Sequence, residues 1–277
     1  MSILSNLSAA ESLPNGRVTW RSGQGIALVT LVNPPANGYS HEMMLDLDQC
    51  IIRARFDDDV HVVVLTGEGE KFFCAGADIG MLRSVTPGFK YNFCLHANET
   101  LLRLEHTPKL TIAALGGHCV GGGLEVALAC DLRLARAKSG KCGLPEVKLG
   151  VLPGTGGTQR LARVLGKAKA IEMMALGDLA TYEEAVELGL VNRVLDADSD
   201  AGFLNLVLEY ARKFCAPEHA PLAVGQIKRA VQSGIDLPLE AGLVLERELQ
   251  AKLFLSGDSQ EGIAAFLEKR SPVFRGK

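Results

Sequence analysis

Two carboxylates stand out by the company they keep. Glu125 follows the glycine triplet Gly121, Gly122 and Gly123 in GGHCVGGGLEVALAC, and Glu146 follows Pro145 in GLPEVKLGVLPGTGGTQRL. A glycine turn after an apolar strand leaves backbone amides bare at a helix start, where an anion or a developing oxyanion is held. CAGAD, Cys74 to Asp78, offers a second turn of the same kind. Two amides from two such loops could grip one carbonyl oxygen, and one good donor is worth about 3 kcal/mol in a transition state. Taken singly, each turn also reads as an ordinary strand-to-helix connection. The apolar VALAC after Glu125 predicts a buried helix. Burial raises a carboxylate's hold on its proton and a helix N-terminus opposes that, a combination suited to a general acid or base. Glu146 alone would be a solvated loop residue. The glycine-rich, charge-poor stretch after it looks like a loop packed at a site.

Other chemistries find no support. There is no G-x-G-x-x-G and no P-loop, GYSHE departs from the G-x-S-x-G elbow, and His41-Glu42 lacks a second histidine at the zincin spacing. The six histidines are scattered along the chain.

These residues need a scaffold. The hairpin VTWRS…IALVTLV comes first, then the turn cluster NPPANGYS and a helix from His41 to about Asp57 capped by Ser40. HVVVLTG and Leu110 to Leu115 read as strands buried on both faces, and Leu132 to Ala135 as a further short strand. Phe89 to Leu104 reads as helix. From Gly157 on, helices dominate, over roughly 157–165, 167–176, 181–188, 200–215, 219–232 and 238–269. The expected organisation is a loose tail over 1–16, a mixed core over 17–199 and a helical part over 200–277, with DADSD (Asp196 to Asp200) at the boundary.

With 277 residues, 47% hydrophobic and 22% charged, the composition is that of a soluble globular protein. The net charge of -3 argues against nucleic acid as the main partner. Seven cysteines with no metal-ligand spacing predict a reducing, cytoplasmic setting and no metal site. No stretch has the length of a membrane span.

The chain resembles the enoyl-CoA hydratase (crotonase) superfamily. NPPANGYS, KFFCAGADIGML, VGGGLEVALACDLRLA, GLPEVKLGVLPGTGGTQRLARVLGKAKAIEMM, EEAVELGLVNRVL and EGIAAFLEKRSPVF carry the resemblance, in the family's order, over about residues 16–275. It implies an α/β fold, a crotonase-type spiral of repeated ββα units with a helical C-terminal trimerisation region. It implies an acyl-CoA thioester as substrate and a homotrimer or dimer of trimers. Ala77 and Gly122 match the two oxyanion-hole amides, Glu125 and Glu146 the two acid/base positions, and Gly154 a glycine whose amide helps hold water. Ala36, Ala75 and Asp78 match positions around the adenine, and Lys269 a residue that reaches CoA phosphates. Coenzyme A is carried as part of the substrate, and no other cofactor is implied. Both glutamates being present favours hydration of a 2-enoyl-CoA. The alternatives are a 3,2-enoyl-CoA isomerase, a ring-acyl-CoA hydratase or a hydrolase, and, in another class, a non-catalytic scaffold on the same fold. Gly80 stands where members often carry Lys, and Gly116-Gly117 where Asn-Gly is usual. SGKC (Ser139 to Cys142) is one residue longer than is common, and a bulge is expected to absorb the extra residue before Glu146.

Overall fold

Residues 2–277 are described by a computed structural model. The chain opens with β1 (Glu11–Ser12), β2 (Val18–Gly23), β3 (Ile26–Leu31), α1 (His41–Phe56) and β4 (Val62–Gly67). Then come β5 (Phe72–Cys74), α2 (Ile79–Ser84), α3 (Pro87–Glu105), β6 (Leu110–Leu115), β7 (His118–Val120) and α4 (Gly122–Leu128). After these follow β8 (Leu132–Arg136), β9 (Lys141–Gly143), α5 (Gly157–Leu165), α6 (Lys167–Leu176), β10 (Ala180–Thr181), α7 (Tyr182–Glu187) and β11 (Arg193–Leu195). The helices α8 (Asp200–Arg212), α9 (Pro221–Gly234), α10 (Leu239–Phe254) and α11 (Gly257–Glu268) complete the chain.

The strands form two sheets, ordered β1-β2-β3-β4-β6-β8-β11 and β10-β9-β7-β5. The large sheet is antiparallel through β3 and parallel from β3 to β11. A strand in the large sheet, a short strand in the small one and a helix recur as β4–β5–α2, then as β6–β7–α4. This is the spiral of ββα units, and the α/β fold read from the sequence is the one found.

Alternation along the strands divides the core in two, as the two-residue side-chain period of a strand requires. Ala27, Val29, Val63, Leu65 and Ala113 face one way, toward α1 and the small sheet. Ile26, Leu28, Val62, Val64 and Ile112 face the other way, where Phe203, Val207, Leu208 and Ala211 of α8 cover them. Every residue of β4 is therefore buried.

The structure corrects four expectations. Residues 2–16 are not a loose tail, and Met1 lies outside the described residues. Glu11 pairs with Trp20 and Ser12 with Thr19, Leu7 and Leu13 are buried, and the Arg21 guanidinium donates to the Leu4 and Ser8 carbonyls. A two-residue ladder and two leucines suffice, with no long apolar run to announce them. The boundary near residue 200 marks a change of element type. It does not separate two cores, because α8 closes the second face of the sheet. The long helix over 238–269 is two, α10 and α11, because Ser256 caps α11 by accepting from the Ser259 amide. Finally, His41 and His96, far apart in sequence, have ring centroids 5.3 Å apart.

Candidate active site

The glycine stretch sits where the large sheet hands the chain to the small one. After β7 the chain turns at Gly121 and enters α4 at Gly122. In an α-helix the first amides have no intrahelical acceptor. The Gly122 amide is one of them, and it has no hydrogen-bond partner among the described residues. The Ala77 amide is likewise unpartnered among the described residues, although its neighbours are fixed. Tyr39 N donates to Gly76 O at 2.9 Å and Asp78 N to Tyr39 O at 3.1 Å.

The two turns abut at Gly76. Its φ is +91°, and a Cβ there would lie 3.0 Å from Gly122 N. Only glycine holds that backbone and leaves the amide open. Gly122 is constrained from its other side, since a Cβ on it would stand 1.9 Å from the Tyr39 ring. Together the turns present two unused donors to one cavity, an arrangement that can hold an anionic oxygen.

Glu125 is buried in the first turn of α4, and its carboxylate accepts three hydrogen bonds. Oε1 accepts from Thr155 N at 2.7 Å and Gly157 N at 2.8 Å, and Oε2 accepts from the Thr155 hydroxyl. Thr155 Oγ1 also meets the Tyr39 hydroxyl at 3.0 Å. The loop PGTGG thus serves Glu125 with two amides and a hydroxyl. A Cβ on Gly157 would come within 3.0 Å of Glu125 Oε1.

Glu146 has a different setting. It opens a short 3-10 turn, Glu146–Leu149, and its Oε2 is buried with no partner among the described residues. Burial, reinforced by the nearby Glu125 charge, pushes its carboxyl up to about 7, against the pull of Lys90. A Cβ on Gly121 would lie 3.0 Å from Glu146 Oε1, so this carboxylate rests against the same glycine turn. One carboxylate is held by donors and the other is left to exchange a proton near neutrality, a pairing that suits acid/base work.

In the β8–β9 turn, which precedes Glu146, Lys138 adopts a left-handed conformation with φ +56°. Pairing of β7 with β9 is regular beyond it, Cys119 with Cys142 and Val120 with Gly143. Glu146 therefore enters the cavity from an undistorted strand end.

The cavity measures about 800 Å³, and Ala75, Ala77, Gly122, Glu125, Glu146 and Gly154 all line it. The Gly154 amide has no hydrogen-bond partner among the described residues. Ala36 and Asp78 stand beside the cavity: Ala75 N donates to Ala36 O at 3.0 Å, and Asp78 caps α2 by accepting from Met81 N at 2.8 Å. Lys269 is exposed at the C-terminal end of α11 and is not part of the lining within this chain. Two contributors escaped sequence reasoning, Tyr39 and Thr155, whereas Gly76 is the glycine of the CAGAD turn. Tyr39 and Thr155 lie 116 residues apart, and no local pattern joins them. The one available signal was a hydroxyl set among the glycines after Glu146. Asn37, also unread, ties the loop that carries Ala36 to the start of β5 by donating to Glu68 O at 2.9 Å and Phe72 O at 3.0 Å.

Known proteins repeat this arrangement of chain. An (E)-benzylidenesuccinyl-CoA hydratase of Thauera aromatica is 40% identical over 260 residues, covering 94% of this chain and 99% of the relative. A probable enoyl-CoA hydratase of Bacillus subtilis is 38% identical, covering 92% of this chain and 96% of the relative. The crystal structure described as "Enoyl-CoA hydrates from Geobacillus Kaustophilus HTA426" superposes with a TM-score of 0.92 at 46% identity, covering 97% of this chain and all of that one. The Enoyl-CoA hydratase/isomerase family matches residues 21–277, and the chain belongs to that family.

Proposed function

We propose that the protein hydrates 2-enoyl-CoA thioesters to 3-hydroxyacyl-CoA by reversible syn addition of water. The observation that carries this reading is the presence of two carboxylates with opposite settings, Glu125 and Glu146, in one cavity with two unpartnered amides. The relatives' own names, hydratases of enoyl-CoA and benzylidenesuccinyl-CoA, agree with it.

In this reading the thioester carbonyl accepts from the Ala77 and Gly122 amides, which take up the charge of the enolate as it forms. A water held by Glu125, Glu146 and the Gly154 amide lies at the β-carbon. One carboxylate takes its proton as the oxygen attacks, and the α-carbon receives a proton from the pair. The two share the water, so neither role belongs to one residue alone. No electrons leave the system, and coenzyme A takes part only as the substrate's carrier. The Ala36–Ala75 pairing and Asp78 flank the side where the carrier would lie. Lys269 would reach its phosphates only from another copy of the chain. Exposed apolar side chains on α10 and α11, among them Leu239, Phe254 and Phe266, support the trimeric assembly in which that could occur. The cysteine usage supports a cytoplasmic setting. Among the described residues no helix is long and apolar enough to cross a membrane.

The test is direct. With crotonyl-CoA and a panel of longer, branched and cyclic enoyl-CoAs, the conjugated absorbance should fall and the product should gain the mass of one water. A product of unchanged mass would indicate an isomerase, and no turnover on any member of the panel would defeat the reading.

A further inference from the structure

The cavity carries more positive charge than its chemistry requires. Besides Glu125 and Glu146, its charged lining residues are Arg83, Lys90 and Lys148. Among the described residues none of these three cations pairs with a carboxylate of the chain. Arg83 and Lys148 are exposed and solvated, whereas Lys90 is partly withdrawn from water, where a cation without a counter-ion is unfavourable unless something else supplies the charge.

Their placements differ. Lys148 lies along Gly177, with its Cε 3.0 Å from where a Cβ would stand, so its stem is committed elsewhere. Arg83 is exposed in the last turn of α2. Lys90 is partly buried in α3, and its Nζ sits 5.3 Å from the centre of the Phe93 ring. Phe93 stacks on Tyr39 at 5.5 Å, and Tyr39 reaches Thr155 and through it Glu125. Lys90 is thus linked through Phe93 and Tyr39 to the acid/base residues, and its charge acts directly on Glu146. Leu82, Val85 and Leu152 supply apolar wall to the same cavity. Glu146 does not offset Lys90 fully, since burial keeps its proton on up to about pH 7.

Resting on the thioester reading above, we propose that the acyl chain of the preferred substrate ends in a carboxylate, which Lys90 receives with Arg83 as its outer neighbour. The substrate class is then a 2-enoyl-CoA with a second acid group at its far end. Lys90 is a specificity-determining residue, acting on the substrate's tail and not on the reacting bond.

The experiment compares pairs of 2-enoyl-CoAs of equal length, one ending in a methyl group and one in a carboxylate, over a series of lengths. At the best length the carboxylate member should win in kcat/KM by roughly tenfold or more, the effect of about 1.4 kcal/mol. Lys90→Met should collapse that ratio toward one, and Lys90→Arg should keep most of it. No preference in the wild type at any length would overturn the proposal. So would an equal loss on both members in Lys90→Met, which is the mark of a contact to the CoA phosphates. Calorimetric dissociation constants for the same pairs read the preference without turnover. Absence of turnover would defeat the hydration reading, and absence of a Lys90-dependent preference in binding would defeat this one.

Discussion

Replacing Glu146 by Gln should make the protein more stable at alkaline pH while removing most of its activity. The carboxyl rises from 4.5 to about 7, chiefly through burial. A displacement of that size corresponds to roughly 3 kcal/mol at 1.36 kcal/mol per pH unit. The side chain is only partly buried, so solvent screening reduces the contribution to about 1–2 kcal/mol. The sign follows from where the proton sits. Below pH 4.5 the carboxyl is protonated in both the folded and the unfolded chain. Between 4.5 and about 7 the unfolded chain ionises and the folded one does not, so stability falls as pH rises through that window. Gln has no such titration. Urea unfolding at one fixed protein concentration should therefore show Glu146→Gln more stable than wild type above pH 7, with the gap closing toward pH 4.5. A variant no more stable above pH 7, or a gap equal at both ends, would refute the argument that Glu146 is held in an unfavourable setting for chemistry.

Other substitutions test the neighbours. Gly76→Ala should lower kcat by roughly a hundredfold, because its Cβ would crowd the Gly122 amide at 3.0 Å. The same change should cost about 1–2 kcal/mol of stability for a residue forced to φ +91°, read by denaturation. Thr155→Val keeps the shape and the backbone donor but strips Glu125 Oε2 and the Tyr39 hydroxyl of a partner. A loss of about 1–3 kcal/mol in stability, with a fall in kcat larger than any change in KM, is expected. Lys228→Met should cost about 1.5–3 kcal/mol by leaving the partly buried Asp131 without its 2.9 Å partner, with little effect on KM in the fraction that folds.

Much of the scaffold was legible because its signals are local. The runs that became β4 and β6 announce strands buried on both faces, and α5 and α6 fall on the predicted residues. The small sheet was not legible. Its strands β5, β7 and β9 have three residues each and β10 two, too few to show a period. Nor could helix periodicity say that α8 would cover the second face of the large sheet. At the site, glycine turns and carboxylates are visible in sequence because few other chemistries use them together. The Tyr39–Thr155–Glu125 chain is not visible, because it is built by the spiral bringing distant loops together. The gap between the Ala77 and Gly122 amides also depends on Gly76, which only the packed structure shows to be the point of contact.

The most direct measurement is hydration itself, followed in wild type, Glu125→Gln and Glu146→Gln with the best enoyl-CoA of a panel. Wild type should lose the conjugated absorbance and its product should gain one water. Each variant should lose about 10²-fold or more in kcat, with acyl-CoA binding retained. Full turnover in either variant, or product with no added water, would rule out hydration by this pair of carboxylates.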